Sequence, residues 1–291
     1  MSERDVALPD GRTLHVFDEG DPAGSPVVVH NGTPSAGQLY APHVDDARRR
    51  GIRLIGYDRA GYGGSTPNPG RRVGDVTDDI AAALDALEIE RFATWGISGG
   101  GPHALACGAL LAGRCIAVGS LASPAPWGAE GLDWLSGQGD GNLAEWEAAL
   151  AGPDVLESLL RAEAAEMLAT TPEQLRAVLL SVLSQVDQEA LTGEFAAYLH
   201  ATTERGLSER VDGWRDDDLA FMQPWGFEPA DVAVPVLLLQ GVHDLMVPPD
   251  HGRWLARRIA GVDARVSDSD GHLTLVSERV PEVHAWLVER F

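Results

Sequence analysis

Short apolar runs alternate along the chain with longer stretches in which apolar residues recur at three- and four-residue spacing. The runs Leu14–Phe17, Val27–His30, Ile52–Tyr57, Phe92–Ile97, Ile116–Leu121, Val236–Gln240 and Ala264–Val266 predict strands. Helical spacing fills Val76–Leu87, Pro102–Leu111, Arg253–Ile259 and Pro281–Arg290, and an Arg-rich helix end precedes Ile52. The last helix carries a proline in its first turn, where the missing N–H has no intrahelical partner to lose. This alternation predicts an α/β protein with a mostly parallel sheet and helices on both faces. Strands that are apolar throughout fit burial on both sides.

The pattern changes between about Pro124 and Ala230. No buried-strand run occurs there, and the spacing is helical over Leu143–Leu150, Val155–Leu168, Pro172–Val186 and Ala190–Thr203. The expected organisation has three parts: core residues 1–123, a helical cap or lid over 124–230, and the rest of the core over 231–291. The middle part holds five of the eight tryptophans, and 20 acidic residues against five arginines, so −15 of the net charge of −22 lies in it. Trp127, Trp134, Trp214, Trp225 and Phe227 are candidates for an apolar pocket lining. Holding the cap together is the commoner use of such residues. Asp216–Asp218 reads as a short low-complexity tract.

Composition narrows the chemistry. With 291 residues and 44% hydrophobic content, the chain can bury a large core. Its negative charge repels phosphate backbones, so nucleic acid is not an expected partner. There is no lysine, which excludes a P-loop, a Schiff base and a Ser-Lys dyad. Cys107 and Cys115 lie in apolar surroundings and read as core thiols, not a disulfide framework. The opening "MSERDVALPDGRTL" has no apolar signal segment, and no run approaches 18 apolar residues. The expectation is a reduced, cytoplasmic setting with no membrane partner. No H-E-x-x-H motif or Cys/His cluster occurs, so neither a metal nor a cofactor is expected. The expected partner is a small-molecule substrate. No feature of the chain bears on oligomeric state.

The chemistry centres on "ATWGISGGGPHAL" (Ala93–Leu105). Gly96-Ile97-Ser98-Gly99-Gly100 matches G-x-S-x-G, a tight strand-to-helix turn that lifts a serine above the sheet edge. The positions two before and two after the serine must lack side chains, and glycines occupy both. The following helix aims N–H groups and its positive dipole end at the site. A dinucleotide fingerprint would follow the first strand and have different glycine spacing. A glycine-rich loop with an incidental serine is the plain rival.

A nucleophilic serine in this layout needs an acid and then a histidine, in that chain order. Asp244 follows the strand Val236–Gln240, and His272 follows the strand Ala264–Val266. Both fall in loops at the carboxyl edge of the sheet, where ligands of parallel sheets gather. His243, Asp268 and Asp270 compete for these roles. His243 adjoins Asp244 too closely for triad geometry, and the two aspartates read as solvated turn residues. His103 suits packing behind the serine, and His15, His200, His251 and His284 read as surface or packing residues. Oxyanion donors are also needed. Gly99 N–H is one, and the loop His30-Asn31-Gly32-Thr33-Pro34 supplies the second at Gly32 or Thr33.

On these residues the chain resembles the α/β-hydrolase superfamily. The loop after "PVVV" is similar to the family's His-Gly-x-Pro, with Asn31 as a departure. "YDRAGYGGS" (Tyr57–Ser65), "LLLQGVHDLMVP" and "DGHLTL" resemble its D-x-x-G-x-G-x-S segment and its acid and histidine loops. The resemblance implies an eight-stranded sheet with a helical cap after the sixth strand. It also implies a serine hydrolase acting on an ester or lactone through Ser98, His272 and Asp244, with Gly99 and Gly32 or Thr33 as oxyanion donors. Serine in the nucleophile position disfavours epoxide hydrolases and haloalkane dehalogenases, which use aspartate there. A proline-iminopeptidase-like peptidase, a C–C bond hydrolase and a haloperoxidase-like enzyme stay open, as does a non-catalytic ligand receptor.

Overall fold

The computed structural model describes residues 2–291. Its centre is a single eight-stranded sheet in the order β1-β2-β4-β3-β5-β6-β7-β8. The strands are β1 (Ser2–Ala7), β2 (Thr13–Gly20), β3 (Ser25–His30), β4 (Ile52–Tyr57), β5 (Phe92–Ile97), β6 (Cys115–Leu121), β7 (Val236–Gly241) and β8 (Asp263–Ser267). β2 runs antiparallel to β1 and β4, and all pairings from β4 to β8 are parallel. Seven strands follow the apolar runs, β4 and β5 with the expected bounds. β1 is an addition. It pairs on one side only and buries Val6 alone, so no apolar run marks it.

Side chains alternate between the two faces along each strand. Val28, Ile55 and Phe92 enter one core layer, while Val27, Val29, Leu54, Ala93 and Trp95 enter the other. Helix α1 (Ala41–Arg49) places Val44 and Ala47 in the second layer. Helices α2 (Val76–Ala86) and α3 (Gly100–Leu110) place Ile80, Leu84, Ala104 and Leu105 in the first. Burial on both faces does not extend to β8, an edge strand whose Ala264–Val266 are exposed.

Between β6 and β7 the chain is helical: α4 (Asp140–Ala151), α5 (Pro153–Leu168), α6 (Leu175–Val178), α7 (Gln185–Ala190), α8 (Gly193–Leu207) and α9 (Asp212–Phe221). The expected single helix over Pro172–Val186 is instead α6, a 3-10 turn at Leu179–Ser181 and the start of α7. Ser184 causes the break. Its extended backbone and its hydroxyl, which accepts the Asp187 N–H, begin a new helix. α9 was not anticipated, because its Asp216–Asp218 segment reads as a tract. All three aspartates are buried.

After β7 come α10 (Pro249–Arg258), α11 (Leu273–Glu278) and α12 (Val280–Val288). Val283 and Leu287 of α12 close the second core layer. No helix among the described residues is long and apolar enough to cross a membrane.

Candidate active site

β5 is buried along its whole length and delivers Ser98 to the carboxyl edge of the sheet, where the Ser98 N–H still bonds to the Leu121 carbonyl at 2.9 Å. Ser98 then turns with φ +56°, in the left-handed region. A non-glycine residue held there costs on the order of 1–3 kcal/mol and persists only when its surroundings enforce it. The turn is tight because its glycines are packed against backbone. A Cβ on Gly96 would collide with the Gly100 carbonyl, and one on Gly100 with the His30 carbonyl. Helix α3 starts at Gly100, so its N-terminal end faces the site.

Asp244 and His272 meet at the same edge. Asp244 Oδ2 lies 2.8 Å from His272 Nδ1, with both side chains buried. The other carboxylate oxygen accepts the N–H groups of Met246 at 2.9 Å and Val247 at 2.7 Å. Two backbone donors and one imidazole thus hold the carboxylate in a single orientation. Burial alone would lower the imidazole pKa. The charge and hydrogen bond of Asp244, with a further contribution from Asp187, outweigh it and raise the pKa above its ordinary value. The competing groups are engaged elsewhere. His243 Nε2 lies 3.0 Å from the Asp268 carbonyl oxygen, and Asp270 pairs with Arg279 at 2.8 Å. The expectation of a solvated Asp270 is therefore corrected: it is buried beneath that arginine.

Ser98 and His272 line one cavity of about 120 Å³, whose other walls include Leu175, Phe195 and Val276. Ser98 also lines a larger cavity of about 310 Å³, walled by helices α4, α5 and α9 and by Trp134. Thr33 and Pro34 border both. Of the aromatics offered as pocket lining, Trp134 and Trp214 reach the larger cavity; Trp127, Trp225 and Phe227 are not in its wall, and Trp146 is. Trp127 instead packs on Trp134 with ring centres 4.9 Å apart, and Trp225 packs on Phe227 at 5.7 Å.

The loop after β3 comes close to the serine: a Cβ on Gly32 would lie 3.2 Å from Ser98 Cβ. No group among the described residues accepts the N–H of Thr33 or of Gly99. A buried ion cluster braces this loop. The Thr33 hydroxyl donates to Asp217 Oδ2 at 2.7 Å, and Arg59 donates to the Asn31 carbonyl at 2.8 Å. Arg59 also pairs with Asp217, whose other oxygen meets Arg71 at 2.8 Å. Burial would raise the Asp217 pKa; the two guanidinium groups outweigh it and hold the carboxyl well below the usual range. His103 packs behind the elbow, its Nδ1 2.8 Å from the Gly99 carbonyl oxygen. Burial, reinforced by Arg59, lowers its pKa to about 3, so it is neutral.

Several residues at the site escape a reading of the chain alone. Asp187 of α7 accepts the N–H groups of His272 at 3.0 Å and Leu273 at 2.7 Å. Asp217, Asp218 and Glu145 sit among acidic residues that look solvated in sequence. The usable signal was the position of Asp216–Asp218 between Trp214 and Phe221, where helical spacing would have turned at least one aspartate inward.

The chain belongs to the α/β-hydrolase fold family, whose model matches residues 25–278. It is 27% identical over 271 residues to the AB hydrolase superfamily protein YisY of Bacillus subtilis, covering 92% of this chain and 91% of that one. Among solved structures it is similar to the enol-lactonase from Burkholderia xenovorans LB400, with a TM-score of 0.70 and 22% identity over 98% of each chain. The esterase from Exiguobacterium antarcticum gives a TM-score of 0.71 and 20% identity, over 99% of this chain and 100% of that one. At such identities the two structures speak for the fold.

Proposed function

We propose that the protein is a serine hydrolase that cleaves a carboxylic ester or lactone with a small, largely apolar acyl part. The observation that carries this reading is Ser98, held at positive φ, lining one cavity with a His272 whose Nδ1 is bonded to Asp244. The bond to Asp244 leaves Nε2 as the nitrogen free to take a proton. Ser98 Oγ attacks the carbonyl carbon while His272 Nε2 takes the hydroxyl proton, and Asp244 stabilises the imidazolium that forms. The tetrahedral oxyanion is met by the N–H groups of Gly99 and Thr33, while Gly32 leaves room for the substrate. His272 returns its proton to the departing alkoxide. Water, activated by the same imidazole, then releases the acid from the acyl-serine. The apolar wall of the smaller cavity suits a short acyl chain, and the larger cavity has a volume ordinary for a ligand site. Both cysteines are free and buried, which fits a reduced, cytoplasmic setting.

Turnover of p-nitrophenyl butyrate tests the reading. Ser98→Ala should lower kcat by roughly 10⁶, by the scale of triad knockouts elsewhere. A fluorophosphonate should label Ser98 and abolish turnover. A Ser98→Ala protein that keeps most of its activity would end the mechanism. No turnover together with no labelling would favour a ligand receptor instead.

A further inference from the structure

We infer that the larger cavity beside Ser98 binds a cationic nitrogen, so that the substrate carries an ammonium group along with its ester or lactone carbonyl. The inference rests on the reading of Ser98 as the nucleophile, because it makes this cavity part of the substrate site. Every formally charged side chain lining the cavity is acidic, and no arginine reaches it. Glu145, Glu163 and Asp218 converge there from three different helices. Asp218 is only 2% exposed, its Oδ2 receives no donor, and its carboxyl lies within hydrogen-bond reach of that of Glu145. A buried carboxyl without a counter-ion is costly, so such groups are normally paired.

The neighbouring cations are committed elsewhere. Arg59 and Arg71 both go to Asp217, one residue away in the chain. Arg215 pairs with Asp216 and Glu157, and Arg161 with Glu157. With no cation beside them, the cavity carboxyls hold their protons more tightly. Burial and the nearby Glu145 raise Asp218 well above the usual carboxylate range, and burial with Glu145 raises Glu163 to about 7. An ammonium group would take the place of those protons as counter-ion to the carboxylates. The remaining wall suits the same ligand. Trp134, Trp146 and Trp214 line the cavity, and indole faces attract cations most strongly of the aromatic rings. Trp214 Nε1 donates to Glu145 Oε1 at 2.7 Å, which fixes one carboxylate against one ring before any ligand arrives.

Calorimetric titration of the whole protein with benzylammonium and with benzyl alcohol tests this, since the two probes share size and shape. Benzylammonium should bind at least about tenfold more tightly, as expected of a charge-assisted contact in a partly buried site. The double variant Glu145→Gln/Asp218→Asn should lose that preference. Glu163→Gln serves as a second variant should the double one fail to fold, and it should weaken benzylammonium several-fold more than the alcohol. Equal binding of the two probes, tighter binding of the alcohol, no binding of either, or a preference that survives the variants would each overturn the inference. The titration needs no turnover, so failure of the hydrolase reading would show separately, in p-nitrophenyl butyrate assays and Ser98 labelling.

Discussion

The carboxylate of Asp187 caps the segment that carries His272, accepting the backbone N–H groups of His272, Leu273 and Thr274 at 3.0, 2.7 and 3.3 Å. Asp187 lies on α7, between β6 and β7, whereas His272 follows β8. The insertion therefore reaches across to the start of α11 and holds the proposed base by its backbone. A Cβ on Gly271 would collide with this carboxylate, so the contact also needs glycine beside the histidine. Asp187→Ala would leave three buried N–H groups without acceptors, at a cost of roughly 1–3 kcal/mol. Chemical denaturation should show that loss, and kcat should fall with it. Asp187→Asn keeps an acceptor but removes a charge that favours protonated His272. It should therefore move the acid limb of the rate profile to lower pH while costing less stability. If neither variant changes the limb, Asp187 supports only the fold.

The pH profile of the parent protein follows from the same histidine. In the proposed mechanism His272 must be neutral to accept the Ser98 proton, and its pKa is raised above 6.5 because Asp244 outweighs the effect of burial. Activity should be lost as pH falls, with the midpoint of the acid limb of kcat/KM above 6.5. Asp244→Asn removes the charge that raises the pKa. The limb should move toward lower pH, and kcat should drop by about 10⁴, as when the equivalent carboxylate is neutralised in serine proteases. A limb below 6.5 in the parent, or one unmoved by the substitution, would exclude His272 as the base.

Much of this site was legible in the chain, for local reasons. β4 and β5 are six-residue, mostly apolar runs held between neighbours on both sides, and their bounds coincide with the pattern. The elbow declares itself because its glycines answer a steric demand within a few residues. Asp244 and His272 were findable because each falls in the loop that follows a strand. What escaped depends on distant partners. β1 carries no apolar signature because only one side of it is paired. Asp216, Asp217 and Asp218 are chemically identical in sequence, yet they face Arg215, the Arg59–Arg71 pair and a cavity respectively. Nothing within the triplet distinguishes them; residues up to 184 positions away do.

Asp217 joins α9 to the loop that carries Thr33, and its loss should be felt in stability before chemistry. Asp217→Asn leaves Arg59 and Arg71 buried without their counter-ion, at a cost of roughly 3–5 kcal/mol. The pH dependence has a definite sign. The folded carboxyl titrates well below its unfolded value of 3.8, so its contribution is complete above 3.8 and is lost as pH falls below it. Denaturation at pH 7 and pH 5 should show the same gap between parent and variant, and a narrower one at pH 3. A gap that stays constant to pH 3 would mean that the cost of the variant comes from packing and not from charge.

Gly100→Ala tests whether the elbow's close packing is as demanding as its geometry implies. The new methyl group would run into the His30 carbonyl, and the Asn31 carbonyl lies 2.8 Å away as well. Both belong to the segment that leads into Gly32 and Thr33, so the backbone cannot give way without shifting the proposed oxyanion donor there. Overpacking of this kind costs about 1–3 kcal/mol, and in a chain of this size each kcal/mol shifts Tm by no more than roughly 2–4 °C. Activity should fall more steeply than stability, because a displacement on the order of 1 Å near the reacting atoms can cost about 10²-fold in rate. Gly113→Ala is the matched control: a Cβ there meets nothing within 4 Å. Its Tm and kcat should stay at the parent values. A Gly100→Ala protein as active as the control would show that the turn tolerates a side chain and that Ser98 is not held by its glycines.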